Sequence, residues 1–423
     1  IDVSTGASTL TLAGAADATN GSLTKTGAGG LTLTGANAYT GTTTVNAGTL
    51  TLGANDVIST GAVTVNGGTL DLATFNDTVG TVTLSGGSIT SSTGVLTSTG
   101  TFEMQNGSVS AILAGAVPLN KTTAGTVILS GVNTYTGVTT ISDGTLSVGS
   151  INNGGVAGNL GAASAAATDL VLSGGTLQYT GATASTDRNF TLTAATTSTI
   201  DVTTGANTLT LSGASTATAG SLTKAGAGGL TLTGQNLHTG TTTVSAGTLT
   251  LGHATNTLDN TSSLVVSGGT LDLGGNADTV AGVQLTGGSV QNGTLTSTTD
   301  FDVQAGTASA VLAGGVGLTK SGSGSVTLSG ANTYTGTTTI NAGTLVVGVA
   351  APSGSAGALG NAASAVLLGD TSGSASATLL INGAFTVGRD VTVRTGSSGT
   401  ATIGGTNTSG SSAFSGTITL DKG

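Results

Sequence analysis

Short runs that alternate aliphatic and hydroxyl side chains recur along the chain, as in Leu31-Thr32-Leu33-Thr34, Leu50-Thr51-Leu52 and Leu230-Thr231-Leu232. A period of two puts the aliphatic groups on one face of a strand and the threonines on the other. Gly, Asn and Asp bound these runs and supply turn conformations with positive φ. Gly48, Gly68 and Gly87 each follow a small residue and precede Thr or Ser and then an aliphatic, as do Gly247, Gly269 and Gly288; the gaps are 20, 19, 22 and 19 residues. Two or three short strands per coil, closed by glycine-rich corners, predict a right-handed parallel β-helix (β-solenoid). It would have about 20 coils of roughly 20 residues stacked at roughly 4.8 Å, a rod on the order of 100 Å long. One coil cannot bury its aliphatic face alone, so stability must come from its neighbours. Antiparallel hairpins are the rival arrangement, marked by Asn-Gly and Asp-Gly turns. Asn66-Gly67, Asp143-Gly144 and Asn292-Gly293 occur mostly within Gly-Thr-Leu corners at coil spacing, which favours the solenoid.

Longer periods lie over the short one. Residues 1–53 align without a gap on residues 200–252, with 42 of 53 positions identical. A 25-residue segment, GGLTLTGANAYTGTTTVNAGTLTLG at 29–53, returns in variant form at 125–149, 228–252 and 324–348. The expected organisation is one continuous β-solenoid over 1–423, with super-repeats 1–199 and 200–398. Residues 399–423 would lead into a further repeat, since Asp421-Lys422-Gly423 resembles the entry to the next copy. Targeting and anchoring parts are expected to lie outside this sequence, because Ile1 opens within a patterned segment.

Composition narrows the functional classes. Glycine supplies 74 of 423 residues, charged residues only 6% and aromatics 2%, yet 37% are hydrophobic, enough for an ordered core. The net charge of −10 disfavours nucleic acid and anionic membranes. Without cysteine there is no disulfide framework, thiolate metal site or cysteine nucleophile, and export through an oxidising compartment meets no stray disulfides.

The string TGAGGLTLTGANAYTGTTTVNAGTLTLG at 26–53 resembles the autotransporter-associated β-strand repeat of type V secretion passengers. Lys, paired Gly, Asn, Tyr, Thr-Gly and Ala-Gly-Thr-Leu arrive in fixed register in the four copies. The repeat-signature residues are Lys25, Asn37, Tyr39 and Gly41; Lys121, Asn133, Tyr135 and Gly137; Lys224, Asn236, His238 and Gly240; and Lys320, Asn332, Tyr334 and Gly336. His238 departs from the pattern, standing where the other copies have Tyr. The resemblance implies a right-handed parallel β-helix at the extracellular or outer-membrane surface of a Gram-negative bacterium. It also implies an outer-membrane translocator elsewhere in a longer chain. It supplies no catalytic residues.

The chemistry-bearing residues are few. The lysine row, with Lys422 as a fifth member, reads as solvated corner charges that discourage edge pairing. The asparagines are expected to satisfy corner backbone groups. His238 and His253 are expected at surface or corner positions. Asp71 and Asp77 recur as Asp272 and Asp278, and read as corner hydrogen-bonding devices rather than as the paired carboxylates of a glycosidase. Asp302 stands at or near the counterpart of Glu103. Arg188 and Arg389 are expected to pin corners. No GxSxG, HExxH or GGxGxDxUx motif occurs, so neither an enzyme nor a cofactor is expected, and calcium at Asp-rich corners is the one metal worth weighing.

The expected function is a structural extracellular shaft, fibre or filament segment, with its own copies as partners end to end or laterally. The alternative is an adhesin for glycans or neighbouring cells, gaining avidity along repeated faces. Ice binding through threonine rows and a polysaccharide-degrading β-helix are remote readings.

Overall fold

A computed structural model of the protein describes residues 1–422. Its regular elements are 48 short strands, with no helix among the described residues, so the chain is all-β. It divides into two compact units, Ile1–Thr216 and Ala217–Gly423.

In the first unit each coil contributes a strand to a first side and a second to the next side. The first side is a nine-stranded stack running from Leu23–Lys25 to Thr191–Leu192. The second side runs from Thr9–Leu12 to Thr197–Val202. The third side holds strands only in places, as in Asp77–Val79, Val95–Ser98 and Ile112–Ala114; elsewhere it is irregular. The second unit has the same plan. Its first side runs from Ser221–Ala225 to Ile418–Leu420, its second from Gly229–Leu232 to Ala401–Gly405, and its third-side strands include Ala277–Val280, Thr294–Ser297 and Val311–Ala313. Among the described residues the strand pairs are parallel, and antiparallel contact is confined to the isolated bridges Asn133–Gly158 and Asn332–Gly357. Each unit is therefore a parallel β-solenoid, and the hairpin alternative fails.

Register follows the aliphatic period. Leu10, Leu31, Leu50, Leu70, Ile89, Val109 and Leu129 pair in succession. Leu10, on the first coil, is exposed, whereas the six that follow it are fully buried. Each buried side chain of this kind contributes roughly 1.5–3 kcal/mol of hydrophobic stabilisation. Thr32 and Thr51 point to the wet face between them, where a β-branched polar residue suits a half-exposed strand.

Coil length is regular where the corners are tight: Thr43 pairs with Val63, Val63 with Val82 and Val82 with Phe102. It lengthens at two places that the 20-residue period did not anticipate. Thr139 pairs with Leu170 across a loop containing residues 149–169, and Thr339 pairs with Leu367 across residues 348–365. Irregular backbone of that length needs its polar groups satisfied locally.

Candidate functional site

The repeat-signature residues do not form an open cleft. They lie inside the coils and tie successive backbones together. Lys25, Lys121, Lys224 and Lys320 are completely buried, which corrects the expectation of solvated corner charges. The strand that carries each lysine points it inward, in register with the apolar Val45, Ile141, Val244 and Ile340 of the next coil. Its stem lies along the core, and its ammonium emerges under the corner.

There Lys25 Nζ donates to the carbonyls of Thr26 (2.6 Å) and Gly27 (2.8 Å) in its own corner, and of Ala47 (3.1 Å) in the next. Lys320 Nζ does the same to Ser321 (2.6 Å), Gly322 (2.7 Å) and Ala342 (2.9 Å). Lys224 bonds Ala225, Gly226 and Ala246, and Lys121 bonds Thr123 and Asp143. Three donors on a compact ammonium match three converging carbonyls, so the charge is compensated by backbone dipoles. Burial lowers the pKa of Lys25 and Lys121 and takes Lys320 down to about 8; Asp2, Asp143 and Asp302 oppose these shifts from a distance. Lys422 is half-exposed and donates to the carbonyl of Gly399.

The following glycine leaves room for the cage. Gly48 has φ +63°, and a Cβ there would stand 2.2 Å from the Gly29 carbonyl oxygen and 2.8 Å from Lys25 Nζ. The signature glycines Gly41, Gly137, Gly240 and Gly336 serve close stacking: a Cβ on Gly41 would meet Gly21 O at 2.4 Å, and the other three meet backbone equally closely.

Asparagine binds across coils rather than only within its corner. Asn133 Oδ1 accepts the N–H of Leu113 (2.9 Å), and its Nδ2 donates to Asn159 O (2.8 Å). Asn332 repeats this with Leu312 and Ala358. Asn37 accepts from Ala16 and donates to Gly35 and Val57, while Asn236 donates to Gly234.

Two residues further on, Tyr39, Tyr135 and Tyr334 place their hydroxyls 2.6–2.8 Å from Thr43, Thr139 and Thr338. Burial raises all three phenols, Tyr135 to about 12. Tyr135 and Tyr334 also pack their rings against Phe102 and Phe301, with centroids about 6 Å apart. His238 is fully buried, which corrects its expected surface or corner position: Nε2 lies 2.8 Å from Thr242 Oγ1, taking over the task of the tyrosine hydroxyl. Burial lowers its pKa to about 4, against the opposing pull of Asp259. His253 is partly exposed, its Nδ1 2.6 Å from Thr255 O.

Arg188 and Arg389 hold the two long loops. Arg188 donates from Nε to Asn152 O (2.9 Å), from Nη1 to Ala163 O (3.1 Å) and from Nη2 to Gly161 O (2.9 Å). Arg389 donates from Nη1 to Leu359 O (2.7 Å) and from Nε to Ser364 O (3.0 Å). Both are buried, and burial lowers their pKa. Asn159, which sequence reasoning did not single out, completes the first loop by accepting from Gly149 and Ser150 and donating to Gly131. Its signal was slight, one of three Asn in a Gly/Ala-rich stretch.

The carboxylates are dispersed. Asp71 accepts from Ala73 N and Thr90 Oγ1; Asp272 accepts from Gly274, Gln291 and Asn292. Glu103 accepts from Asn120, and Asp302 from Gln284 and Gln304. Among the described residues no three His, Cys, Asp or Glu side chains are grouped so as to hold a metal ion.

Stacked parallel coils, fastened at four recurring places by an internal lysine and a nearby asparagine, define a repeat β-solenoid. The passenger-associated-transport-repeat model matches it five times, at residues 23–52, 47–72, 119–148, 222–251 and 318–347, so these segments are similar to the repeats of transported passengers. These segments contain the lysine cages and corner glycines described above. The chain is also 36% identical over 246 residues to the Adhesin BmaC autotransporter of Brucella suis biovar 1 (strain 1330). The match covers 54% of this chain and 7% of that protein, so this chain spans a small part of its relative's length. No solved structure gives a significant match.

Proposed function

We propose that this chain is a non-enzymatic structural shaft segment of a surface-exposed passenger. The observation that carries the reading is the direction of the signature side chains. Lys25, Tyr39 and their counterparts, with Asn133, Asn236 and Asn332, turn inward, where they are buried and withdrawn from any ligand; the half-buried Asn37 also bonds the neighbouring coils. The outward face is mostly Thr, Ser and Asn, and among the described residues the aromatic and arginine anchors that concentrate binding energy reach it only at the partly exposed Phe75, Phe385, Phe414 and Arg394. A passenger of this type works outside the cell, and the repeats support a position at the surface of a Gram-negative bacterium.

A second reading, adhesion, is favoured by the similarity to the Brucella protein, which bears the name of an adhesin. Glycan arrays and cell-binding assays on the isolated chain separate the two. A shaft segment shows no saturable binding while its thermal unfolding stays cooperative; saturable, competable binding would transfer the role to adhesion.

A further inference from the structure

Asp77 and Asp278 occupy corresponding places in the two units, and each is only 1% exposed. Asp77 Oδ2 accepts the N–H groups of Val57 (2.9 Å) and Ile58 (3.0 Å) from the preceding coil. Asp278 Oδ2 accepts those of Thr257 (2.6 Å) and Leu258 (3.2 Å). In both residues Oδ1 is buried and receives no hydrogen bond. An ionised carboxylate with one oxygen desolvated and unpaired is costly.

The asparagines on the same side of the coils show what the position requires. Oδ1 of Asn37, Asn133 and Asn332 accepts an N–H from the preceding coil, and Nδ2 donates to a carbonyl of the following one. Asp77 and Asp278 reproduce the accepting half. Only a proton on the second oxygen can reproduce the donating half.

We propose that Asp77 and Asp278 are proton-holding latches, each carried as a neutral carboxylic acid whose Oδ1 hydroxyl faces the following coil, and that ionisation loosens the corner each one clasps. The ionisable groups around them do not hold them charged. Asp77 faces Asp56 on the preceding corner and Tyr39 beyond it; its partner strand Val95–Ser98 carries no ionisable side chain. Asp278 has Asp259 on the preceding corner and His238 beyond it, and its partner strand Thr294–Ser297 is likewise non-ionisable. With His238 neutral above its lowered pKa, no cation is in either set.

Burial raises Asp77 to about 7, aided by Asp56, and Asp278 to about 6; the accepted N–H bonds pull the other way in both. Folded values above the ordinary 3.8 mean that the latch stabilises fully in acid, and loses that contribution as pH rises through about 6 to 7.

Amide hydrogen exchange on the whole chain, corrected for base-catalysed intrinsic exchange, reads the latch directly. Protection at Val57–Ile58 and Thr257–Leu258 is expected to fall on the order of tenfold between about pH 5.5 and 8.5, while Leu113 and Leu312, held by asparagine, stay level. Asp77→Asn and Asp278→Asn should flatten the dependence. A carboxyl-carbon NMR titration of the unmodified protein gives a second reading that needs no variant: midpoints near 6–7 support the latch. Midpoints near 4, or protection at these amides that does not change with pH, would overturn it.

Discussion

Tight corners and long loops in this solenoid are closed by different cations. In the second unit, Lys320 sits under two successive short corners, where three carbonyls converge within 2.9 Å of one nitrogen. Arg389 closes the loop of residues 348–365, whose carbonyls at Leu359 and Ser364 stand apart and are reached by different arms of the guanidinium. Lys25 and Arg188 repeat the contrast in the first unit. Carbonyl spacing therefore selects the cation: a point charge where oxygens converge, and a planar fork where they are spread. In both cases the compensating charge is the backbone itself.

The comparison can be broken most severely at the loop. Arg389→Met should cost about 3–5 kcal/mol, because carbonyls held by a charged donor are left buried and unpaired. Urea denaturation measures it, and a cost below about 1 kcal/mol would show that the loop is held by other contacts. Lys320→Met should cost less, about 2–3 kcal/mol, since removing the ammonium also removes its own desolvation penalty. Lys320→Arg sharpens the point about shape. A Cβ on Gly343 would lie 2.7 Å from Nζ, so the larger fork overfills the corner and should destabilise by about 1–3 kcal/mol despite keeping the charge.

Smaller effects appear as pH dependence. The Lys320 value of about 8 lies below its ordinary 10.5, so the unfolded chain binds more protons between them. Lys320 thus makes stability rise with pH across that window, and Lys320→Met should remove this increment from a series of denaturation midpoints. His238 behaves likewise in acid. With a folded value of about 4 against 6.5, its contribution is present above pH 6.5 and is lost as pH falls toward 4. His238→Tyr restores the phenol–threonine contact of the other copies and should flatten that part of the profile.

Strand register and coil stacking were legible because Leu31, Leu50 and Leu70 advertise an inward face through a period of two. The asparagines were half legible: a polar residue fixed beside a corner glycine announces a backbone bond, but not that the bond reaches adjacent coils. Lysine burial was illegible for a physical reason. Its counter-groups, the carbonyls of Thr26, Gly27 and Ala47, carry no letter of their own, so a lysine without an acidic neighbour looks like a surface charge. His238 misled in the same way, although the tyrosines aligned with it were the available clue. The long loops escaped because Ala/Gly/Ser-rich sequence carries no periodicity.

The lysine cage also gives assembly a direction. Lys25 takes two of its oxygens from its own corner and the third from Ala47, 22 residues later. A coil laid down in N-to-C order therefore carries an incompletely coordinated, hydrated ammonium until its successor arrives. The advancing tip is charged and resists docking onto foreign strand edges. The turn that follows quenches that charge, and the charge returns only when the next signature lysine is laid down several coils later, so at these four places growth by the correct neighbour is favoured over capture by a stranger.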